Sequence, residues 1–486
     1  MTDTYIIKIN LKERSENMDR LLKESYIYQL MRKIAEWIHS SFANSYFINL
    51  FVKEGYAEER DKNTLFVKLI NSIIIVLQKL AHIMKLDKLF ENSIFAKPII
   101  WLTLMFFLIP FIPTMVALLL VAVTALSLLL KIAITPDFDL KYLKTNAWIL
   151  ILILVVCVSA MTSISLEESR NIALLMTAFI MSYFIVINTI DNKKQFRFLL
   201  YVFAFASVIT AIIGIYQYIF GDVYSQAWLD SEMFEDIKMR VYSTFENPNV
   251  YGEYLILAIS IIFSLFWTEK GWLKKLVLLG MFGIDMLALV LTFSRGCWLG
   301  IILAIGILLL IIDRRFIWVG IVGLIVLPFV LPETIMNRFL SIGNLDDSST
   351  SYRVYIWLGT IAMLKDYWFS GIGLGTTSFN TIYPIYSYNN ISAPHSHNLF
   401  LQLIVEYGII GLLVFLGVLY NFYKETTIGM LKEKNILTAG IVSGVSGFLL
   451  QSLFDNTWYN YRVVLVFWIV IALGLVSTKI KEAKGK

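Results

Sequence analysis

The sequence predicts an all-α protein, a polytopic transmembrane helical bundle of about twelve spans, and three observations carry that expectation. Hydrophobic residues make up 58% of the 486 and charged residues 16%, where an ordinary soluble domain carries about 25% charge; the mean hydropathy is +0.71. Apolar runs of about 17–25 residues recur between Lys, Arg, Asn or Pro clusters, the length a helix needs to cross a roughly 30 Å hydrocarbon core. The runs are continuous rather than alternating, which argues for helices over an outer-membrane barrel.

In chain order, residues 1–96 mix charge with apolar residues at helical spacing, among them Leu21, Leu22, Tyr26, Leu30, Met31 and Ile34. They read as a cytoplasmic or interfacial amphipathic region. The run Phe66–Met84 is apolar but interrupted by Lys68, Asn71, Gln78 and Lys79, which favours a helix lying on the membrane surface over a span. No cleavable signal peptide is expected, because the first residues are polar. Spans follow at about 98–112, 114–131, 147–164, 172–190, 197–220, 249–267, 275–292, 296–312, 316–331, 397–421, 436–454 and 462–477, with a cytoplasmic tail at 481–486. Cys157 and Cys297 show neither paired nor metal-ligand spacing.

Basic residues set the orientation, since short loops rich in Lys and Arg stay cytoplasmic. One set of alternate loops, from Lys131 to the C-terminal lysines, holds eighteen Lys and Arg, and the other set holds eight. The first set and both termini are therefore expected inside, in a cytoplasmic (inner) membrane protein. Residues 221–248 and 332–396 become long extracytoplasmic segments. The second reads as an ordered helical lid, because Tyr352, Tyr355, Ile356, Gly359, Met363 and Leu364 recur with helical spacing; loops of this length are usually functional or disordered.

Sorting by side collects Arg240, Arg295, Arg353, His395 and His397 on the outer face. Arg295 sits in a very short turn between two apolar runs, where an arginine is costly unless paired or lining an aqueous cavity; a snorkelling side chain is the bland alternative. Arg240 precedes STFENPNVYGEYL, in which Asn247 or Asn249 caps the next helix beside Pro248, and that alone is ordinary helix-start chemistry. Arg353 by itself is equally a solvated surface charge. His397, with Asn398, stands at the mouth of an apolar helix, and a histidine there can take a proton near neutral pH or merely cap the helix. His395-x-His397 invites zinc, weakly, because no further histidine or cysteine is expected on that side. Gly371, Gly373 and Gly375 fit a tight turn better than a nucleotide loop. Asp285, Glu253 and Glu406 are carboxylates in or near spans and are candidates for pairing. The lid aromatics, including Tyr352, Trp357, Trp368, Tyr383, Tyr386 and Tyr388, suit sugar stacking and interface anchoring alike.

The ordered series RVYSTFENPN (240–249), LTFSRG (291–296), SYRVYIW (351–357) with GIGLGTTSF (371–379), HNLFLQLIVEYGIIG (397–411) and LFDN (453–456) resembles the O-antigen ligase and polymerase superfamily. The resemblance runs from about residue 98 to the C-terminus. It implies a metal-independent membrane glycosyltransferase without a cofactor, with an outward-facing site. The donor would be a glycan on undecaprenyl diphosphate, the acceptor a lipid or glycan, and the surroundings membrane lipids, with no nucleic-acid partner. Carried over, catalytic roles fall to His397, Arg295 and Arg353, and substrate binding to Arg240, Asn247, Asn249 and Asn398. Ligase-type transfer in cell-surface polysaccharide or lipopolysaccharide biosynthesis is the expectation. A polymerase joining lipid-linked repeat units is the alternative within the family, and a lipid or polysaccharide transporter is the alternative of another class.

Overall fold

The computed structural model describes Gln29, Lys33 and residues 65–136, 138, 140–141, 143–221 and 239–480. The chain divides into two compact units, Met1–Gly55 and Tyr56–Lys486. The amphipathic helices expected before residue 65, the segment 222–238 and the tail 481–486 lie outside the described residues.

Among the described residues every regular element is helical. The α-helices are α1 Leu65–Ile83, α2 Leu86–Phe90, α3 Pro98–Leu108, α4 Thr114–Ile134, α5 Lys144–Met161, α6 Leu166–Thr189, α7 Lys193–Phe220, α8 Pro248–Thr268, α9 Trp272–Leu291, α10 Arg295–Ile312, α11 Phe316–Val330, α12 Glu333–Leu340, α13 Ser348–Tyr367, α14 Thr376–Ile382, α15 Leu399–Glu433, α16 Ile436–Gln451 and α17 Tyr461–Ser477. Six are long and apolar enough to cross a membrane: α4, α6, α7, α8, α10 and the first 30 residues of α15. Four more are apolar but shorter, covering Pro98–Phe111, Thr145–Met161, Ile436–Gln451 and Tyr461–Ser477. The helix over Phe66–Met84 docks on α4, where Gln78 donates to the carbonyls of Ile132 and Thr135. Its outer face leaves Leu69, Ile73, Val76, Leu80 and Ile83 exposed.

The middle of the bundle is built from helices that are apolar on all sides, which forces them inward. Arg462 through Ser477 of α17 are all buried, and α8 is buried along most of its length. Small residues let α16 come close to its neighbours. A Cβ on Gly447 would lie 2.3 Å from the Gly300 carbonyl of α10, and one on Gly440 would lie 2.4 Å from Ser264 of α8. This contact brings the start of α8, the start of α10 and the end of α16 to one place.

The segment after α11 forms a cap with a small core of its own. Ile356, Met363 and Leu364 of α13 bury against Ile372, Phe379 and Tyr383, with Val405 of α15 below, as the helical spacing of the lid predicts. Ser169 donates to the Leu374 carbonyl at 2.6 Å, and Thr377 N–H donates to Glu168 at 2.9 Å, which pins the cap to the start of α6. Helix α15 breaks at Gly408, whose φ is 69°. The break frees Ile409 N–H for the Trp368 carbonyl at 2.8 Å, while Ile372 N–H reaches the Val405 carbonyl at 2.8 Å. The kink is thus the seat of the cap.

Candidate active site

Beneath the cap lies a cavity of about 290 Å³ lined by Arg240, Arg295, Arg338 and Arg353, by Asn249 and Gln451, and by Trp357 with apolar residues such as Phe293, Leu299 and Phe454. Three helix N-termini open onto it: α8 through Asn249, α10 through Ser294–Gly296 and α13 through Ser349 and Thr350. The helix dipole makes each such end favourable to an anion, with Asn247 and Asp347 already capping α8 and α13. Four guanidinium groups around three positive helix ends describe a polyanion site.

Each arginine is held by a different part of the chain. Arg240 donates from Nε to the Thr292 carbonyl at 2.8 Å and from Nη2 to Asn249 Oδ1 at 2.7 Å. Burial, then the charges of Arg338 and Arg353, pull its pKa down to about 9; it stays cationic at neutral pH and would be relieved by an anion. Arg295 donates to the Ser341 carbonyl and hydroxyl at 2.9 and 2.8 Å and pairs with Asp347 at 2.6 Å. It is neither a solvated charge nor a snorkelling one. Arg338 of α12 approaches the other Asp347 oxygen at 3.4 Å. Burial raises the Asp347 pKa, but the Arg295 hydrogen bond and charge outweigh it, and the carboxyl sits below its usual value. Asp347 also caps α13, accepting from Thr350 N–H at 2.9 Å, so one carboxylate fixes two arginines and the start of the helix that carries a third. Arg353 donates to the Phe454 carbonyl at 2.9 Å and to Ser349.

A short hydrogen-bonded chain leads from the arginines to the histidine. Asn249 accepts from Arg240 with its oxygen and donates from Nδ2 to Asp455 at 2.9 Å, and Asp455 Oδ1 stands 3.0 Å from His397 Nδ1. Burial would raise the Asp455 pKa, but the His397 hydrogen bond and the positive charges around it hold the carboxyl well below the usual carboxylate range. A carboxylate on Nδ1 fixes the tautomer and leaves Nε2 for substrate. His397 has φ 48°, a left-handed backbone uncommon outside glycine. The loop is braced by Trp357 Nε1 on the His397 carbonyl at 3.2 Å and by Tyr352, whose hydroxyl donates to the Ser392 carbonyl at 2.8 Å. His395 accepts the His397 N–H on Nδ1 at 3.2 Å. Burial, then the neighbouring His397, lower its pKa to about 3, so it is a neutral support.

Two of the expected site residues do other work. Asn247 caps α8, accepting from Asn249 N–H at 2.8 Å, and Asn398 caps α15, accepting from Leu401 N–H at 3.0 Å while donating to the Leu453 carbonyl at 2.9 Å. The side chains of both turn to backbone groups rather than into the cavity. Each span carboxylate has a side-chain partner: Asp285 accepts from Ser207 at 2.7 Å, Glu406 from Gln402 at 2.9 Å and Glu253 from Gln451 at 3.5 Å. By sequence no further histidine or cysteine is expected beside the histidine pair; the structure adds a carboxylate, since His395, His397 and Asp455 offer donor atoms within 4.8 Å of one another. In this arrangement His395 Nδ1 already accepts a backbone N–H and His397 Nδ1 faces Asp455, so a cation there would displace hydrogen bonds that shape the loop.

Residues 276–416 match the family model described as O-antigen ligase. That stretch belongs to the O-antigen ligase superfamily. It contains Arg295, Arg338, Arg353 and His397, whereas Arg240, Asn249 and Asp455 join the candidate site from outside the matched residues. The chain is similar to a protein named "Putative polysaccharide ligase" in Rickettsia prowazekii (strain Madrid E), 25% identical over 232 residues, which is 45% of this chain and 55% of that protein. A like-named protein of Rickettsia typhi (strain ATCC VR-144 / Wilmington) matches at 25% over the same shares. One from Rickettsia felis (strain ATCC VR-1525 / URRWXCal2) matches at 23% over 40% of this chain and 48% of its own. The chain spans about half the length of the curated relatives it matches.

Three residues of the site escaped the sequence reading as site residues. Asp455 lies in the LFDN stretch that contributed to the resemblance, yet its partner is 58 residues away in sequence. Arg338 stood among the outer-face cations without a motif around it. Asp347 carried no signal at all.

Proposed function

We propose that the protein is a metal-independent membrane glycosyltransferase of the O-antigen ligase type, which moves a glycan from undecaprenyl diphosphate to a lipid or glycan acceptor at the outer face of the cytoplasmic membrane. The observation that carries this reading is the hydrogen-bonded chain joining an arginine-walled cavity to a histidine with a free Nε2. In the reaction the acceptor oxygen forms a bond to the anomeric carbon of the first sugar. The bond from that carbon to the diphosphate oxygen breaks, and the leaving group takes the electron pair. His397 Nε2 receives the acceptor proton, and Asp455 stabilises the imidazolium that results. Arg240, Arg295, Arg338 and Arg353, fixed before substrate arrives, stabilise the charge that accumulates on the diphosphate. The lipid diphosphate itself carries the activation, so the scheme calls for neither ATP nor a metal.

Purified protein supplied with a lipid-linked glycan and a separate acceptor is expected to form the conjugate, undiminished by a chelator. Chain growth from lipid-linked repeat units alone would replace the ligase reading with the polymerase one. Activity abolished by chelator and restored by a divalent cation would instead assign His395, His397 and Asp455 to a metal.

A further inference from the structure

The lid aromatics divide according to where they sit. Tyr383 is buried in the core of the cap, and Tyr386 hydroxyl donates to Asp366 at 2.6 Å. Trp368 and Tyr388 are exposed at the surface. Tyr352 presents its ring edge-on to His397 at 5.8 Å but does not line the arginine cavity. Trp357 alone among these aromatics both lines that cavity and contacts His397, through Nε1 on the His397 carbonyl.

Its place on α13 gives that contact a meaning. Trp357 follows Arg353 by four residues, so the two share a face of the helix, and they are separated by just over one turn, about 6 Å along the axis. If Arg353 meets the diphosphate, the next turn toward His397 lies where the sugar attached to that diphosphate must be, because its anomeric carbon has to reach the leaving oxygen on one side and the acceptor activated by His397 on the other. Trp357 is half-buried, lines the cavity and has its N–H already engaged, so the apolar part of the indole is what remains to meet that space. The apolar C–H face of a pyranose packs well on such a surface.

We propose that Trp357 is the platform for the first sugar of the donor, so that the site recognises a glycosylated lipid diphosphate through stacking as well as through charge. This rests on the reading of the arginine cavity as a diphosphate site. The test compares two probes, undecaprenyl diphosphate and the same lipid bearing one hexose, for binding to the full-length protein in detergent. Wild type is expected to bind both, the sugar-bearing lipid more tightly. Trp357→Ala is expected to lose on the order of tenfold in affinity for the sugar-bearing lipid while keeping its affinity for the bare one, which also reports that the variant is folded. Trp357→Phe, which keeps a ring but loses the hydrogen bond, is expected to retain most of the sugar preference. Equal losses for both lipids, or no selective loss in Trp357→Ala, would reduce Trp357 to a brace for the histidine loop and overturn the proposal. Wild-type protein that binds neither lipid would remove the diphosphate reading, and this inference with it.

Discussion

Asp455 does at the residue scale what no single arginine does: it connects the arginine cluster, through Asn249, to His397. Its carboxylate receives Asn249 on one side and faces His397 on the other, and the positive groups around it keep it ionised. Replacing it by Asn preserves shape but lets the amide present either a donor or an acceptor to Nδ1, so the tautomer is no longer fixed. Asp455→Asn is expected to lower the transfer rate about 10²–10⁴-fold with little change in the thermal unfolding midpoint; an unchanged rate would mean that His397 needs no orienting carboxylate. Arg295 was legible as a candidate because a charge between apolar runs is costly, and Arg240, Arg353 and His397 through their shared side and the resemblance. Asp455 was not, because its partner is distant in the chain. Asn247 and Asn398 were assigned to substrate because a capping asparagine and a ligand-binding one look alike until the direction of the side chain is known.

At the scale of elements, the site depends on two close approaches of backbone. Gly300 and Gly447 set the spacing of α10 and α16 and so the position of Arg295 over the end of α16. Gly408 sets the seat of the cap: a Cβ there would fall 1.9 Å from the Phe369 carbonyl, with φ 69° besides. Gly408→Ala is expected to cost about 1–3 kcal/mol from the backbone alone, because φ 69° with ψ −179° is a region essentially only glycine enters, and more from the collision. Its unfolding midpoint in detergent should fall, and transfer should fall with it as Tyr352, Arg353 and Trp357 shift. A variant of wild-type stability and activity would show that the cap docks some other way. The helical lid itself was legible in the spacing of Ile356, Gly359, Met363 and Leu364. The break inside α15 was not, since HNLFLQLIVEYGIIG reads as one apolar helix until the chain that presses on Gly408 is known.

For the whole molecule, the sorting of loops into two opposite sides has a structural counterpart, which holds whichever side faces the cytoplasm. Lys131 pairs with Asp191 at 3.0 Å and Arg197 with Glu269 at 2.8 Å, joining three loops that the charge pattern assigns to the cytoplasm. At the other end Arg462 donates to the Thr244 carbonyl at 2.9 Å and to that of Pro110 at 3.4 Å, joining three segments assigned to the outside. The apolar runs made this layout legible because a run either spans or does not; four of the arginines placed on one side, Arg240, Arg295, Arg338 and Arg353, line one cavity. Ser392 is exposed beside the histidine loop. With Cys157 and Cys297 replaced, Ser392→Cys is expected to react with a membrane-impermeant thiol reagent in intact cells, and protection there would reverse the orientation. The proposed coupling of the arginine cavity to His397 through Asn249 and Asp455 is tested most directly by His397→Ala in a single-turnover transfer assay with the lipid-linked donor. The expected result is a loss of about 10²–10⁴-fold in the transfer rate with donor binding unchanged, and transfer at the wild-type rate would contradict the assignment of His397 as the base.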